Sequence, residues 1–80
     1  MSDQDHIPEL DTCGLLCPLP VLKARKRLKD VEIGARLRVL ADDPAALVDI
    51  PHFCAEQGHR LDGEPGQDGP VLSFVIVRGR

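Results

Sequence analysis

The strongest hydrophobic pattern in the chain is the run from Val71 to Val77, which reads VLSFVIV. A short, nearly continuous apolar run of this kind is typical of a β-strand inside a sheet. Successive side chains of a strand point to opposite faces, so Leu72, Phe74 and Ile76 share one face and the intervening residues share the other. We expect one of these faces to be left uncovered, either as a contact surface or as a half-buried sheet face.

Two other segments have helical periodicity. In the first, Val21, Ala24, Leu28 and Val31 recur at spacings of three and four, which predicts one apolar helix face that ends near Asp30. The second is predicted to begin at the capping sequence 42–44, Asp-Asp-Pro, and to run to about Gln57 before Gly58. We expect the proline at position 51 to break or kink this second helix.

Shorter apolar or alternating segments predict the remaining strands. These are Ile7–Asp11, Ala35–Ala41 and an edge strand at Arg60–Glu64, whereas the composition of residues 65–70 predicts a loop. The order βαβαββ predicts an α+β fold, a two-layer α/β sandwich with a mixed four-stranded sheet and two helices on one face. We expect a single domain over residues 7–80, preceded by a disordered tail at residues 1–6.

The composition narrows the possible functions. Hydrophobic residues make up 42% of the 80 residues, with no Trp or Tyr and two Phe, so we expect a compact aliphatic core. So short a chain leaves little room for a large cofactor, and we expect none. The net charge of −3 argues against nucleic-acid binding. No apolar segment reaches the roughly 18 residues of a membrane span, and no signal peptide is evident, so we expect a cytoplasmic protein. The sequence does not fix the oligomeric state, and a monomer is the default expectation.

The candidate chemistry lies at Cys17, which directly precedes Pro18, Leu19 and Pro20. We interpret Cys17 as the N-cap of the first helix, with the prolines at its first and third positions. Cysteine is a poor cap, which suggests that the sulfur itself has a role. Backbone N–H groups of Leu19 and Val21 would face the sulfur, and the helix N-terminus would lower the thiol pKa from about 8.5 toward about 7. From these residues alone, a reactive thiolate and a buried structural cysteine both remain open.

The segment Gly14-Leu15-Leu16-Cys17-Pro18-Leu19-Pro20, followed later by Ala41-Asp42-Asp43-Pro44 and Asp49-Ile50-Pro51-His52-Phe53-Cys54, resembles the TusA/SirA sulfur-carrier family. This resemblance implies that Cys17 carries sulfane sulfur as a persulfide, with the site shaped by Gly14, Pro18, Leu19 and Pro20. It also implies a cysteine desulfurase or other sulfurtransferase as donor, and an acceptor in tRNA thiolation, molybdenum-cofactor or sulfur-oxidation chemistry. The protein would then be a carrier that acts with partner enzymes and not an enzyme itself.

Five of the ten lysines and arginines fall on the first helix. They are Lys23, Arg25, Lys26, Arg27 and Lys29. We interpret this basic face as a docking surface for acidic regions of the sulfur donor and acceptor.

Cys13 lies four residues before Cys17 and leaves an alternative open. The pair could form a redox-active disulfide, which would make the protein a thiol–disulfide or redox-sensing protein, or Cys13 could have no role. A metal site is not predicted, because Cys13, Cys17, His52, Cys54 and His59 lack the paired spacing of metal ligands. We expect Cys54 to be a buried structural thiol and Asp42 and Asp43 to be helix caps.

Overall fold

The computed structural model describes residues 7–80, and the predicted tail at residues 1–6 lies outside the described residues. The elements follow one another in the order β1 (Glu9–Asp11), α1 (Leu19–Leu28), β2 (Arg36–Ala41), α2 (Ala46–Gln57), β3 (Arg60–Leu61), β4 (Gly66–Asp68) and β5 (Val71–Val77). Within the described range, neither helix has the length and apolar character needed to cross a membrane.

Strand β5 lies in the middle of a mixed sheet. It pairs antiparallel with β2 along one edge, from Arg36 opposite Val77 to Ala41 opposite Leu72. Along its other edge it pairs antiparallel with β3 and β4. Strand β1 lies outside β2 and runs parallel to it, and α1 supplies the crossover that a parallel pair requires. The carboxyl ends of β1 and β2 therefore meet at the same end of the sheet.

The sheet has five strands instead of the predicted four. Strand β3 ends at Leu61, and Gly66–Asp68, which was predicted as loop, forms β4. Leu61 lies opposite Ile76 and Gly66 lies opposite Ser73. The outer strand therefore advances five positions where β5 advances three. The N–H of Asp62 still donates to the carbonyl of Val75 at 2.8 Å, and residues 63–65 then leave the sheet and divide its outer strand. Sequence reasoning missed β4 because its residues carry no apolar periodicity.

The core lies between one face of the sheet and both helices, as predicted. Every second residue of β2 and β5 is buried in one cluster with the inner faces of α1 and α2, and these residues are Ala24, Leu28, Leu37, Val39, Ala41, Ile50, Phe53, Leu72, Phe74 and Ile76. On the opposite face of β5, Val71, Ser73 and Val75 are half-buried. The expected uncovered face is thus the one that carries Ser73.

Of the predicted break or kink at Pro51, the break was wrong, because α2 continues through this residue as one helix. The carbonyl that loses its partner belongs to Leu47, an exposed residue, where water can replace the missing N–H. The helix ends as predicted at Gly58, whose φ of 79° is left-handed. It begins at Ala46, later than predicted, because the residues before it form a turn in which the Asp43 carboxylate accepts the N–H of Ala45 at 3.0 Å.

Candidate functional site

Three aspartates hold the loop between β1 and α1. The carboxylate of Asp42 accepts the N–H of Gly14 at 2.9 Å, and that of Asp43 accepts the N–H of Cys17 at 2.8 Å. Asp11 accepts the N–H of Cys13 at 2.9 Å. These side chains reach the loop because β1 and β2 end side by side. The prediction that Asp42 and Asp43 cap the second helix was wrong, because the N-cap of α2 is Ala45 and has no side-chain cap hydrogen bond. The two carboxylates instead fix the backbone around the cysteine.

Helix α1 begins one position later than predicted. Pro18, and not Cys17, is the N-cap, so Leu19 and Pro20 occupy the first two helical positions. Gly14 has a left-handed φ of 87°, which suits the turn that leads into this start. The N–H of Leu19 donates to the carbonyl of Leu16 at 2.8 Å. One of the two backbone donors expected to face the sulfur is therefore already used within the loop.

Cys17 is exposed, and its thiol donates to a carboxylate from α2. The distance from Cys17 Sγ to Asp49 Oδ2 is 2.6 Å. This hydrogen bond raises the pKa of the thiol, and desolvation and the negative charges of Asp49 and Asp43 raise it further. The prediction of a lowered pKa was wrong, because it considered the helix N-terminus without the two carboxylates that α2 and its preceding turn bring to the sulfur.

Asp49 is the functional candidate that sequence reasoning missed. On α2 it shares a stripe at spacings of three, four and seven with His52, Phe53 and Glu56, and all four residues line the same groove. The signal was available in the sequence as a polar residue among the apolar neighbours Ala46, Ile50 and Phe53. The sequence did not indicate that this carboxylate lies against Cys17, which is 32 positions earlier.

The groove between α1 and α2 has a volume of about 270 Å³, and Cys17 is one of its lining residues. From α1 it is lined by Pro18, Val21, Leu22 and Arg25. Its walls are therefore apolar, and charged groups of both signs stand along them. His52 Nε2 lies 3.4 Å from Glu56 Oε2, one helical turn away. A segment that entered the groove would meet the thiol, an apolar wall and an arginine.

The predicted docking residues differ in their exposure and in whether they line the groove. Lys23, Arg25, Lys26 and Lys29 are exposed, whereas Arg27 is half-buried. Arg25 alone of these five lines the groove beside Cys17.

Large apolar side chains are exposed close to Cys17 in the sequence. Leu16 is 71% exposed and Leu19 is 44% exposed. Leu47 and Val48, in the first turn of α2 just before Asp49, are exposed as well. Exposed apolar groups beside a reactive atom are typical of a surface that contacts other proteins.

The other two cysteines have different surroundings. Cys13 is half-buried and is not among the residues of the groove; desolvation and then Asp11 and Asp42 raise its pKa. Cys54 is buried in the core, as expected, and burial raises its pKa to about 11. All three thiols are free. Across residues 7–80, no three His, Cys, Asp or Glu side chains are grouped closely enough to hold a metal ion.

Comparison with known proteins gives consistent results. The family model described as sulfurtransferase TusA matches residues 8–78. The sulfur carrier protein TusA of Pseudomonas syringae pv. syringae is 40% identical over 67 residues, which cover 84% of this chain and 80% of the relative. That of Pseudomonas entomophila is 39% identical over 75 residues, 94% of each chain.

A solved structure agrees with these relatives. The SirA-like protein from Desulfitobacterium hafniense superposes with a TM-score of 0.78 at 28% identity, over 92% of this chain and all of the other. The family match spans nearly the whole of the described chain, and the relatives and the solved structure match most of their own length. The chain belongs to the TusA/SirA family.

Proposed function

We propose that this protein is a sulfur carrier in which Cys17 accepts sulfane sulfur as a persulfide and passes it to an acceptor protein. The observation that carries the proposal is an exposed thiol at the mouth of a groove, hydrogen-bonded to a carboxylate 2.6 Å away. The relatives from both Pseudomonas species bear the name sulfur carrier protein, which supports the same role.

The loading step needs no external oxidant. The Cys17 thiol gives its proton to the Asp49 carboxylate, and the thiolate forms a bond to the terminal sulfur of a persulfide on the donor. The donor's sulfur–sulfur bond breaks, and the donor cysteine leaves as a thiolate that takes up a proton. Transfer to an acceptor thiolate repeats the step with Cys17 as the leaving group. Asp49 keeps the resting thiol protonated and is the base nearest to it.

The surface around Cys17 supports exchange with partner proteins. We propose that a cysteine desulfurase or other sulfurtransferase docks over the exposed leucines and inserts its persulfide-bearing loop into the groove. The basic residues of α1 would then face acidic side chains of the donor or acceptor, which sets the approach and makes association dependent on salt. The acceptor would serve tRNA thiolation, molybdenum-cofactor enzymes or sulfur oxidation.

Mass measurement after sulfur loading tests the proposal. The protein is incubated with a cysteine desulfurase and cysteine, separated and weighed intact without reductant. We expect the gain of one sulfur atom, mapped to the Cys17 peptide, and no gain in Cys17→Ser. Cys13→Ser is the matched control and should load like the parent protein. No gain with desulfurases or other sulfurtransferases would contradict the carrier role.

The same experiment separates the carrier from the redox alternative. With a disulfide oxidant such as oxidised glutathione added, a protein that works through a Cys13–Cys17 disulfide would lose two hydrogens, and Cys13→Ser would abolish this loss. The structure favours the carrier, because Cys13 is not among the residues of the groove that Cys17 lines.

A further inference from the structure

A second concavity lies at the opposite end of α1 from Cys17. Its volume is about 280 Å³. The polar side chains that line it carry nitrogen groups, and no Asp or Glu is among them. They are Arg25, Lys29, Gln57, His59, Arg78 and Arg80. In a protein whose net charge is −3, a pocket that gathers four cationic side chains departs from the charge of the rest of the molecule.

Arg78 is held in place by carbonyl groups. Its Nη1 donates to the carbonyl of Val31 at 2.7 Å and to that of Lys29 at 3.4 Å, and its Nε donates to the main-chain oxygen of Arg80 at 2.9 Å. The Val31 and Lys29 carbonyls orient the guanidinium but carry no full negative charge. The ion pairs in the described part of the chain involve Arg36, Arg38 and His52, none of which lines this pocket. The pocket's positive charge is therefore not neutralised by side-chain carboxylates of residues 7–80.

His59 adds an oriented donor to the lining. Its Nδ1 accepts the N–H of Gly79 at 2.9 Å, so the neutral ring carries its proton on Nε2. Contact with the Phe53 ring, at a centroid distance of 5.5 Å, restrains the imidazole plane. Burial lowers the pKa of His59, and the positive charges of Arg78 and Arg80 lower it further.

Two glycines allow the last residues of the chain to pack beside the turn after α2. A Cβ on Gly58 would lie 2.5 Å from Cδ of Arg80, and a Cβ on Gly79 would lie 1.7 Å from the carbonyl oxygen of Gly58. The Arg80 side chain therefore lies across the bare Cα of Gly58. This close packing fixes the wall of the pocket that brings Arg78 and Arg80 toward Lys29.

We propose that this basic pocket binds a multiply charged tetrahedral oxyanion of the sulfate or phosphate class, either free or as the phosphate group of a nucleotide. Guanidinium groups match such oxygens in geometry, and each adds a charge-assisted hydrogen bond. The pocket adjoins the groove, since Arg25 and Gln57 line both, but Cys17 lines only the groove. Cys17 precedes α1 and Lys29 follows it, so the ten residues of the helix place about 15 Å between them. Binding there goes beyond the proposed carrier role and does not depend on it.

An NMR titration of the ¹⁵N-labelled protein with sodium phosphate and sodium sulfate, at constant ionic strength set by chloride, tests the proposal. We expect saturable shifts at the amides of Lys29, His59 and Gly79. In the double variant Lys29→Gln/Arg80→Gln, binding should weaken by about tenfold or more, since two charged donors are lost. The main-chain carbonyls that hold Arg78 remain in this variant.

The matched control is Lys23→Gln/Lys26→Gln, which removes the same charge from exposed residues of α1 that do not line the pocket. We expect its affinity for phosphate to stay within about twofold of the parent protein. Adenosine monophosphate distinguishes the source of the anion. If adenosine monophosphate binds much more tightly than inorganic phosphate and shifts the same amides, the ligand is a nucleotide phosphate. If the two bind equally, the ligand is a free oxyanion. Shifts that do not saturate, or equal weakening in both double variants, would overturn the proposal.

Discussion

Cys17, the proposed site of sulfur transfer, is surrounded by carboxylates that lie near it only in the folded chain. Asp49 accepts a hydrogen bond from the Cys17 thiol, and Asp43 binds the Cys17 backbone N–H. Both negative charges stabilise the protonated thiol relative to the thiolate. A protonated thiol is a weak nucleophile and resists oxidation. We infer that the Cys17 thiol of the free protein stays protonated and weakly reactive. It becomes reactive when a bound partner changes its carboxylate environment.

Replacing Asp49 tests this tuning directly. In Asp49→Asn the negative charge is gone and the amide can donate to the sulfur, so the Cys17 pKa should fall. We expect alkylation of Cys17 by iodoacetamide at neutral pH to become severalfold faster, because a larger fraction of the thiol is ionised. The rate is followed by mass spectrometry of the Cys17 peptide across pH. Asp68→Asn, on strand β4, is the control and should alkylate like the parent protein; an unchanged rate in Asp49→Asn would contradict the role of Asp49.

The buried thiol gives a prediction for alkaline pH. Burial raises the pKa of Cys54 from 9.0 to about 11, so between these values the unfolded chain has lost a proton that the folded chain retains. The free energy of unfolding should therefore fall as pH rises through this interval. Urea denaturation of the parent protein and of Cys54→Ala between pH 8 and pH 11 measures the effect. The free energy of unfolding should fall less steeply with pH in the variant, and equal slopes in the two proteins would exclude Cys54 as the source of the fall.

At the scale of elements, the loop before α1 and the turn before α2 form one unit. Asp43 accepts N–H groups from both Cys17 and Ala45, so one carboxylate joins the start of one helix to the cysteine loop of the other. Asp42 makes a separate connection, to Gly14. The position of the thiol therefore depends on the turn that follows β2.

Amide hydrogen exchange distinguishes these two connections. In Asp43→Ala we expect severalfold faster exchange at the amides of Cys17 and Ala45, because each loses its acceptor. In Asp42→Ala the acceleration should be confined to Gly14. Exchange that rises equally at all three amides in both variants would mean that the loop opens as a whole and that neither carboxylate holds a particular amide.

The elements differ in how far the sequence revealed them. Val71–Val77 was predicted to the residue because its apolar run needs no partner to be recognised. Gly66–Asp68 has no such pattern and is a strand only because β5 lies beside it; a Cβ on Gly66 would lie 2.6 Å from Ser73 Oγ, so the serine side chain would have to shift. Cys17 was identified by its prolines, which are local. Asp49 was not, because its contact with the sulfur spans 32 positions of sequence.

At the scale of the whole molecule, a single layer of side chains holds the sheet to both helices. Phe74 is 1% exposed and lies on the central strand. The core around it consists otherwise of aliphatic residues, Phe53 and Cys54. In a domain of this size, few other large side chains are available to fill the space that Phe74 occupies.

Truncation of Phe74 should therefore be severe. Phe74→Ala is expected to lower the free energy of unfolding by about 3–5 kcal/mol through lost burial and the cavity that remains. Urea denaturation followed by circular dichroism measures the change. Val75→Ala, on the half-buried face of the same strand, is the control and should cost less. Similar losses for the two variants would show that the uncovered face contributes as much as the core.

The divided outer strand also affects how the sheet can meet other chains. Long, flat edge strands offer unpaired backbone groups to which a strand from another molecule can add. Over residues 7–80, one edge is formed by the three residues of β1, and the other is interrupted at residues 63–65. Both edges are thus poor templates for added strands. On the proposed carrier role, donor and acceptor would therefore bind through side chains that can release and not through strands added to the sheet.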